Sequence, residues 1–241
     1  MITLNKLGKS FNGRQVVKNL SFEARDGAIT GLLGANGAGK TTTLRMICGV
    51  LKPESGSITI GHSRDANQGA ESQRGVGALL DHIGLYSRLT VRENLEYFGR
   101  LRGMDSHAIT KHTDEVISIL GLEAIADRQT AGFSQGERMK TALGRAILHS
   151  PKNLLLDEPT NGLDIPTVRS LRELLKRLRD EGTCVIFSSH VLEEVLALCD
   201  RIVVIAGGRI AGEGSATELC SQAGTASLED AFVKLTSRME A

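Results

Sequence analysis

Residues Gly34-Ala35-Asn36-Gly37-Ala38-Gly39-Lys40-Thr41 constrain this chain more than any other stretch. They fit G-x-x-x-x-G-K-[ST], a loop whose backbone N–H groups wrap the phosphates of a nucleoside triphosphate. Gly34, Gly37 and Gly39 let successive peptide units turn inward, because glycine tolerates φ > 0 without a Cβ clash. Lys40 brings a compact cation to the β/γ-phosphate oxygens, and the Thr41 hydroxyl, followed by a second one on Thr42, is placed to ligate Mg²⁺. The flanks agree. Ala28 to Leu33 is a mostly apolar run that reads as a buried strand, and Thr41 to Val50 carries Leu44, Ile47 and Cys48 at helical spacing. Strand, glycine loop and helix form the unit this motif needs, with the positive end of the helix dipole aimed at the phosphates. A glycine-rich turn that binds nothing requires neither flank.

The 241 residues suffice for one large domain or two small lobes with a substantial core. A formal net charge of +1 gives no bulk electrostatic case for nucleic-acid binding, and 3% aromatics without tryptophan argue against a base-stacking platform. No apolar run approaches the ~20 residues of a membrane span, and no secretory signal opens the chain, so a soluble intracellular protein is expected. Cys48, Cys184, Cys199 and Cys220 show no metal-ligand rhythm. The first three lie in apolar segments and read as buried, inert thiols.

In chain order, Ile2 to Leu4 and Val16 to Ala24 read as antiparallel strands around the turn Asn12-Gly13-Arg14. Phe11, just before that turn, is either a core aromatic or a ring stacked on an adenine. Ser57 to Gly61 and Val76 to Leu80 are further strands, separated by a polar loop over 61–74. Thr90 with Glu93 forms a capping box, and Ser106 to Leu120 is amphipathic at helical period, so a helical lobe is expected from about Tyr86. Ser134-Gln135-Gly136-Glu137 is another S-x-x-E capping box. Asn153 to Asp157, Thr183 to Ser188 and Arg201 to Ala206 are buried strands alternating with helices, the helix from Pro166 carrying the stripe Leu171, Leu174, Leu175 and Leu178. Alternation of this kind predicts an α/β sheet with the phosphate site at strand C-termini.

Two more elements narrow the chemistry. Leu154-Leu155-Leu156-Asp157 is the Walker-B arrangement, a buried strand that holds a carboxylate beside the Mg²⁺ shell. Glu158 follows directly and is positioned to orient and deprotonate an attacking water. Two adjacent acids at a strand end also describe a solvated turn, and the phosphate loop favours the catalytic reading. The Ser134 helix N-terminus, in turn, suits a phosphate as well as a cap. With these residues the chain resembles the nucleotide-binding subunit of ATP-binding cassette (ABC) transporters. The signature usually written L-S-G-G-Q stands here as Phe133-Ser134-Gln135-Gly136-Glu137; Asn161-Gly162-Leu163-Asp164 matches the D-loop, His190 the switch histidine, and Phe11 the adenine-stacking aromatic. More narrowly, Asp81, Gly84-Leu85-Tyr86, Arg138-Met139-Lys140, Ser188-Ser189-His190 and Cys199-Asp200-Arg201 resemble the NatA-type cassettes of sodium-efflux systems.

The resemblance implies a P-loop NTPase cassette with a RecA-like core, an N-terminal antiparallel β subdomain and an inserted α-helical subdomain. Its boundaries would be a single domain over 1–241, with 1–85 and 150–214 as the core lobe, 86–149 as the helical lobe and 215–241 as short terminal helices. It implies ATP and Mg²⁺ as ligands, with Gly34 to Thr42 and Phe11 on the nucleotide and Thr41, Asp157 and Asp81 at the metal. Glu158 would be the base, with Lys40 and His190 on the γ-phosphate. Ser134, Gln135, Gly136, Glu137 and Asp164 would contact the nucleotide of a second cassette, a homodimer mate or a paralogue, and a separate transmembrane permease would carry the cargo, leaving this subunit cytoplasmic on the inner face of the membrane. Sodium efflux is one cargo; a drug, lipid or polysaccharide is another. A non-transport ABC ATPase acting on ribosomes or DNA usually carries two cassettes or a coiled-coil insertion, and neither is present. A cassette that binds ATP without turnover is disfavoured by intact Lys40, Asp157, Glu158 and His190.

Two departures from the family pattern bear on mechanism. Glu137 replaces a glutamine, which improves the cap but adds a negative charge at a phosphate-facing helix end and is expected to weaken ATP-driven dimerisation. Asp81 stands where a glutamine senses metal and water; it is shorter and charged, so it binds Mg²⁺ more strongly and reaches less far. Turnover is expected to survive with an altered metal dependence, and a Mg²⁺ titration of Asp81→Gln checks this: an unchanged Mg²⁺ response and rate would refute the role.

Overall fold

A computed structural model describes residues 1–61, 75–80, 84–237 and 239. The polar loop expected over 61–74 lies outside them from residue 62, as does Asp81 with His82. Alternating apolar positions in β1 (Ile2–Phe11) and β2 (Arg14–Ala24) form an antiparallel hairpin through Asn12 and Gly13, both left-handed at φ 49° and 78°. β4 (Ser55–Ile60) pairs along the other edge of β1, giving a three-stranded sheet of order β2-β1-β4.

The second sheet has the order β5-β6-β7-β3-β8-β9. In it, β5 (Val76–Leu79), β6 (Asn153–Asp157), β7 (Cys184–Ser189), β3 (Ile29–Leu33) and β8 (Arg201–Ala206) run parallel, and β9 (Arg209–Gly214) returns antiparallel to β8. The central strands are continuous apolar runs because both faces are covered. Period two divides them: Leu155 and Ile186 face α1 (Lys40–Ile47) and the small sheet, while Leu154, Leu156, Val185 and Phe187 face the helices. The helices on that second face include α2 (Val91–Leu101), α3 (Ser106–Leu120), α4 (Gln135–Ile147), α5 (Ile165–Asp180) and α6 (Leu192–Leu198). Two terminal helices, α7 (Ala216–Ala223) and α8 (Leu228–Ser237), pack Leu219, Ala231 and Leu235 into the same core.

Local chemistry sets the helix ends. The capping box at Thr90 is present, with Glu93 N–H donating to Thr90 Oγ1 (3.1 Å) and Thr90 N–H to Glu93 Oε2 (2.8 Å). Asp105 caps α3 and Asp164 caps α5, the latter accepting from Thr167 N–H at 2.9 Å. The loop after β5 is pinned by Asn94, fully buried, whose amide donates to the carbonyls of Tyr86, Leu89 and Thr90 and accepts from Tyr86 N–H. Arg145 donates to Gly84 O (2.9 Å) while its guanidinium stacks over Phe98.

Burial pushes the Cys48 thiol up to about 12 and Cys184 up to about 11, and raises Cys199 as well, in keeping with inert cysteines. No helix among the described residues is long and apolar enough to cross a membrane. Phe187, 1% exposed beneath the helices, is the largest fully buried side chain of the sheet. Phe187→Ala is expected to lower unfolding stability by about 3–5 kcal/mol, read from urea melts followed by circular dichroism; a loss below about 1 kcal/mol would contradict this packing.

Candidate nucleotide site

The parallel strands β3, β6 and β7 deliver their C-termini to one edge, and the sequence places a functional group at each. After β3 the phosphate loop turns into α1. Gly34 admits no side chain, since a Cβ there would lie 2.3 Å from Ile205 O, and Gly39 adopts φ 107° immediately before the helix. The α1 N-terminus has no side-chain cap and no acid in its first turn. Its leading N–H groups and dipole are therefore left for an anion, which fits a nucleotide phosphate.

Lys40 is only 4% exposed. Its ammonium donates to Gly34 O (2.8 Å) and Ala35 O (3.3 Å) and lies 3.3 Å from Glu158 Oε1. These partners compensate a buried cation that would otherwise be costly. The Thr41 hydroxyl donates to Asp157 Oδ2 at 2.6 Å. Two hard oxygen donors beside the phosphate loop suit Mg²⁺, which is held by few protein ligands together with substrate phosphates. Thr42 follows in the first turn of α1, half-buried, and Thr43 is turned inward to bond Gly39 O.

β6 ends at Asp157, and Glu158 leaves the strand at φ 44°, a left-handed conformation that costs a non-glycine residue about 1–3 kcal/mol. Its N–H donates to Ser188 O (3.2 Å) and Ser188 Oγ (3.0 Å), which hold it there. Glu158 Oε2 accepts from Asn161 Nδ2 (2.6 Å) and sits 3.0 Å from His190 Nδ1. Burial raises this carboxyl, but the Asn161 bond, Lys40 and His190 outweigh it and hold the group below the usual carboxylate range. The carboxylate is thus ionised near neutrality, the form a general base requires.

Lys40, Thr41, Asp157, Glu158 and His190 therefore converge. Phe11 does not belong to the core: it is 43% exposed at the hairpin turn, with Lys9 Nζ 5.7 Å from its ring centroid, so the core reading is excluded and the ring face is accessible. Ser134 and Glu137 make the expected capping box (3.2 and 2.7 Å), on a separate helix N-terminus. The Glu137 carboxyl is held below its usual range by Ser134 N–H, with smaller help from Arg128. Gln135 and Asp164, expected to reach a second subunit, are both engaged at home: Gln135 Nε2 donates to Asn161 O (2.8 Å), and Asp164 caps α5. Ser188 and Asn161 escaped the sequence reading as site residues. Ser188 Oγ donates to Asp157 Oδ1 and accepts from Glu158 N–H, so it aligns both acids. The partnership depends on β6–β7 register, Asp157 opposite Ser188, which no local motif announces.

The family profile described as ABC transporter matches residues 17–161. The chain is 40% identical over 224 residues to the ABC transporter ATP-binding protein NatA of Bacillus subtilis (strain 168), covering 91% of each chain. It is 36% identical to the linearmycin resistance ATP-binding protein LnrL of the same organism, over 98% of this chain and 75% of that one. Among solved structures, the dimeric post-hydrolysis state of the ATP-binding cassette MJ0796 bound to ADP and Pi superposes with a TM-score of 0.80 at 25% identity, covering 89% of this chain and 98% of that one. A profile match over more than half of the chain, on a fold that gathers the phosphate loop, paired acids and histidine at one sheet edge, places the protein: it belongs to the ABC transporter family, as an ATP-binding and ATP-hydrolysing cassette.

Proposed function

We propose that this cassette is the motor subunit of an exporter, hydrolysing ATP at an interface between two cassettes and passing the resulting motion to a separate transmembrane permease at the inner face of the membrane. The observation that supports this best is the division of the nucleotide-contacting groups. Lys40, Thr41, Asp157, Glu158 and His190 share one cleft, while Ser134 to Glu137 open a different helix of the other lobe. A dimer of cassettes lets each helix complete the other's site, and the MJ0796 cassette is dimeric in its post-hydrolysis structure. The ends of the motor cycle follow: ATP buried between subunits favours the closed pair, and hydrolysis removes that preference.

In the cleft, Lys40 leaves the carbonyls of Gly34 and Ala35 for the γ-phosphate, a stronger, charged acceptor. Phe11 stacks on the adenine, and the N–H groups from Gly34 to Thr42 surround the phosphates. Thr41 and Asp157 would hold Mg²⁺, which would neutralise charge on the β- and γ-phosphates; Asp81, the third candidate ligand, lies outside the described residues. Glu158 takes a proton from water as the water oxygen bonds to the γ-phosphorus. The bond from that phosphorus to the β–γ bridging oxygen breaks, leaving ADP and phosphate. His190 donates to the γ-phosphate and holds Glu158 in place.

The cargo passes through the permease, so resemblance to NatA-type cassettes supports sodium efflux as the first reading, and the linearmycin-resistance relative supports export of an antibiotic as the second. Flux of ²²Na⁺ against flux of a lipophilic antibiotic, in vesicles holding the cassette with its permease, separates them. For the motor itself, Glu158→Gln is expected to reduce turnover at least about 100-fold, the scale of a lost general base, while ATP still binds and the dimer accumulates in size-exclusion chromatography. Turnover that survives this substitution would overturn the assignment of the base.

A further inference from the structure

Gln135 stands at the position where the signature as usually written, L-S-G-G-Q, has its first glycine. It is the first residue of α4, and its amide lies flat on the loop after β6. Nε2 donates to Asn161 O at 2.8 Å, and a Cβ on Gly162, which is left-handed at φ 69°, would fall 2.4 Å from that same nitrogen. The bare glycine is what lets the amide approach. Asn161 in turn donates from Nδ2 to Glu158 Oε2 at 2.6 Å, and its N–H donates to Glu158 O at 3.2 Å. One residue thus separates the N-terminus of α4 from the base, within a single subunit.

We infer that Gln135 is a positioning residue that, through Asn161, restrains the Glu158 carboxylate until a nucleotide on the second cassette engages α4 and releases it. The inference rests on the proposed function, because it needs α4 to meet a partner's phosphate.

Release follows from acceptor strength. The Asn161 carbonyl is a neutral acceptor, whereas a phosphate oxygen arriving at the start of α4 is charged, and bonds to it are roughly twice as strong. Gln135 Nε2 exchanges the first for the second. The loop at Gly162 is then untied from α4, and Asn161 no longer has to keep its amide on Glu158. That carboxylate has Asn161 and His190 on one oxygen and Lys40 on the other, so its lone pairs are largely committed. Removing Asn161 frees one for the attacking water. Hydrolysis at one site thereby depends on occupancy of the site that its own α4 completes.

The test measures ATP hydrolysis by this chain with Mg²⁺, alone and co-purified with its permease, across ATP concentration, for wild type, Gln135→Met, Asn161→Ala and Glu158→Gln. Methionine keeps the length of Gln135 and removes the donor at an exposed position. Gln135→Met is expected to raise turnover about three- to ten-fold at ATP below half-saturation, the factor commanded by one ordinary hydrogen bond. The gain should fall on kcat with KM for ATP unchanged, and Asn161→Ala should move kcat in the same direction, because either change frees a lone pair of Glu158 Oε2. Unchanged or lower turnover would overturn the restraint. So would a raised KM for ATP with constant kcat, which marks Gln135 as a phosphate contact alone. The Glu158→Gln arm separates the two ideas: loss of wild-type turnover there upholds the ATPase assignment whatever Gln135→Met does.

Discussion

The ion pair between Lys40 and Glu158 depends on the topology of the whole central sheet. Lys40 follows β3 and Glu158 follows β6, yet these strands are not neighbours; β7 lies between them. Adjacent strands sit about 4.8 Å apart, so the two backbones end roughly 10 Å from one another. A short side chain could not close that distance. Lysine and glutamate together do, meeting at 3.3 Å across the end of β7. The groups that β7 presents there are correspondingly small: Ser188 opposite Asp157 on one side and Leu32 on the other, then Ser189 opposite Leu33. A bulky residue at position 188 would occupy the gap that the ion pair crosses and remove the hydroxyl that aligns both acids.

This register explains which parts of the site were legible beforehand. The phosphate loop, the three-residue capping boxes and the acids closing an apolar strand are short-range patterns, and their geometry follows from spacing alone. The strand and helix order was equally readable, because five parallel strands buried on both faces leave continuous apolar runs. Ser188 was not, since its partner Asp157 lies 31 residues away and the two meet only through strand pairing. Asn161 was missed for a related reason, and Gln135 was named only for a second subunit's nucleotide, not for its bond to Asn161 O: each uses a flexible side chain to join loops that the sequence treats separately. Phe11 left two readings open because a hydrophobic residue at a hairpin tip carries no information about which side of the turn is covered.

The capping chemistry that stabilises the helical lobe also shapes its function. α1 begins without a cap and with Lys40 as its first residue, so its N-terminus keeps its full attraction for phosphate. α4 begins with the reciprocal bonds of Ser134 and Glu137, and the carboxylate spends its charge on Ser134 N–H and, at 3.8 Å, on Arg128. Under the proposed function these two helix ends are the two halves of one composite site, and they are electrostatically unequal. ATP is therefore drawn first to the α1 half, where N–H groups and the lysine are available. It meets α4 second, when the cassettes close. Glu137 weakens that second contact, yet the local Arg128 and the freed Gln135 amide supply donors in compensation. On that proposal, a departure that looked like a simple loss of affinity becomes a bias in the order of assembly: nucleotide would load first, closure would follow, and the carboxylate of Glu158 would be released only after both.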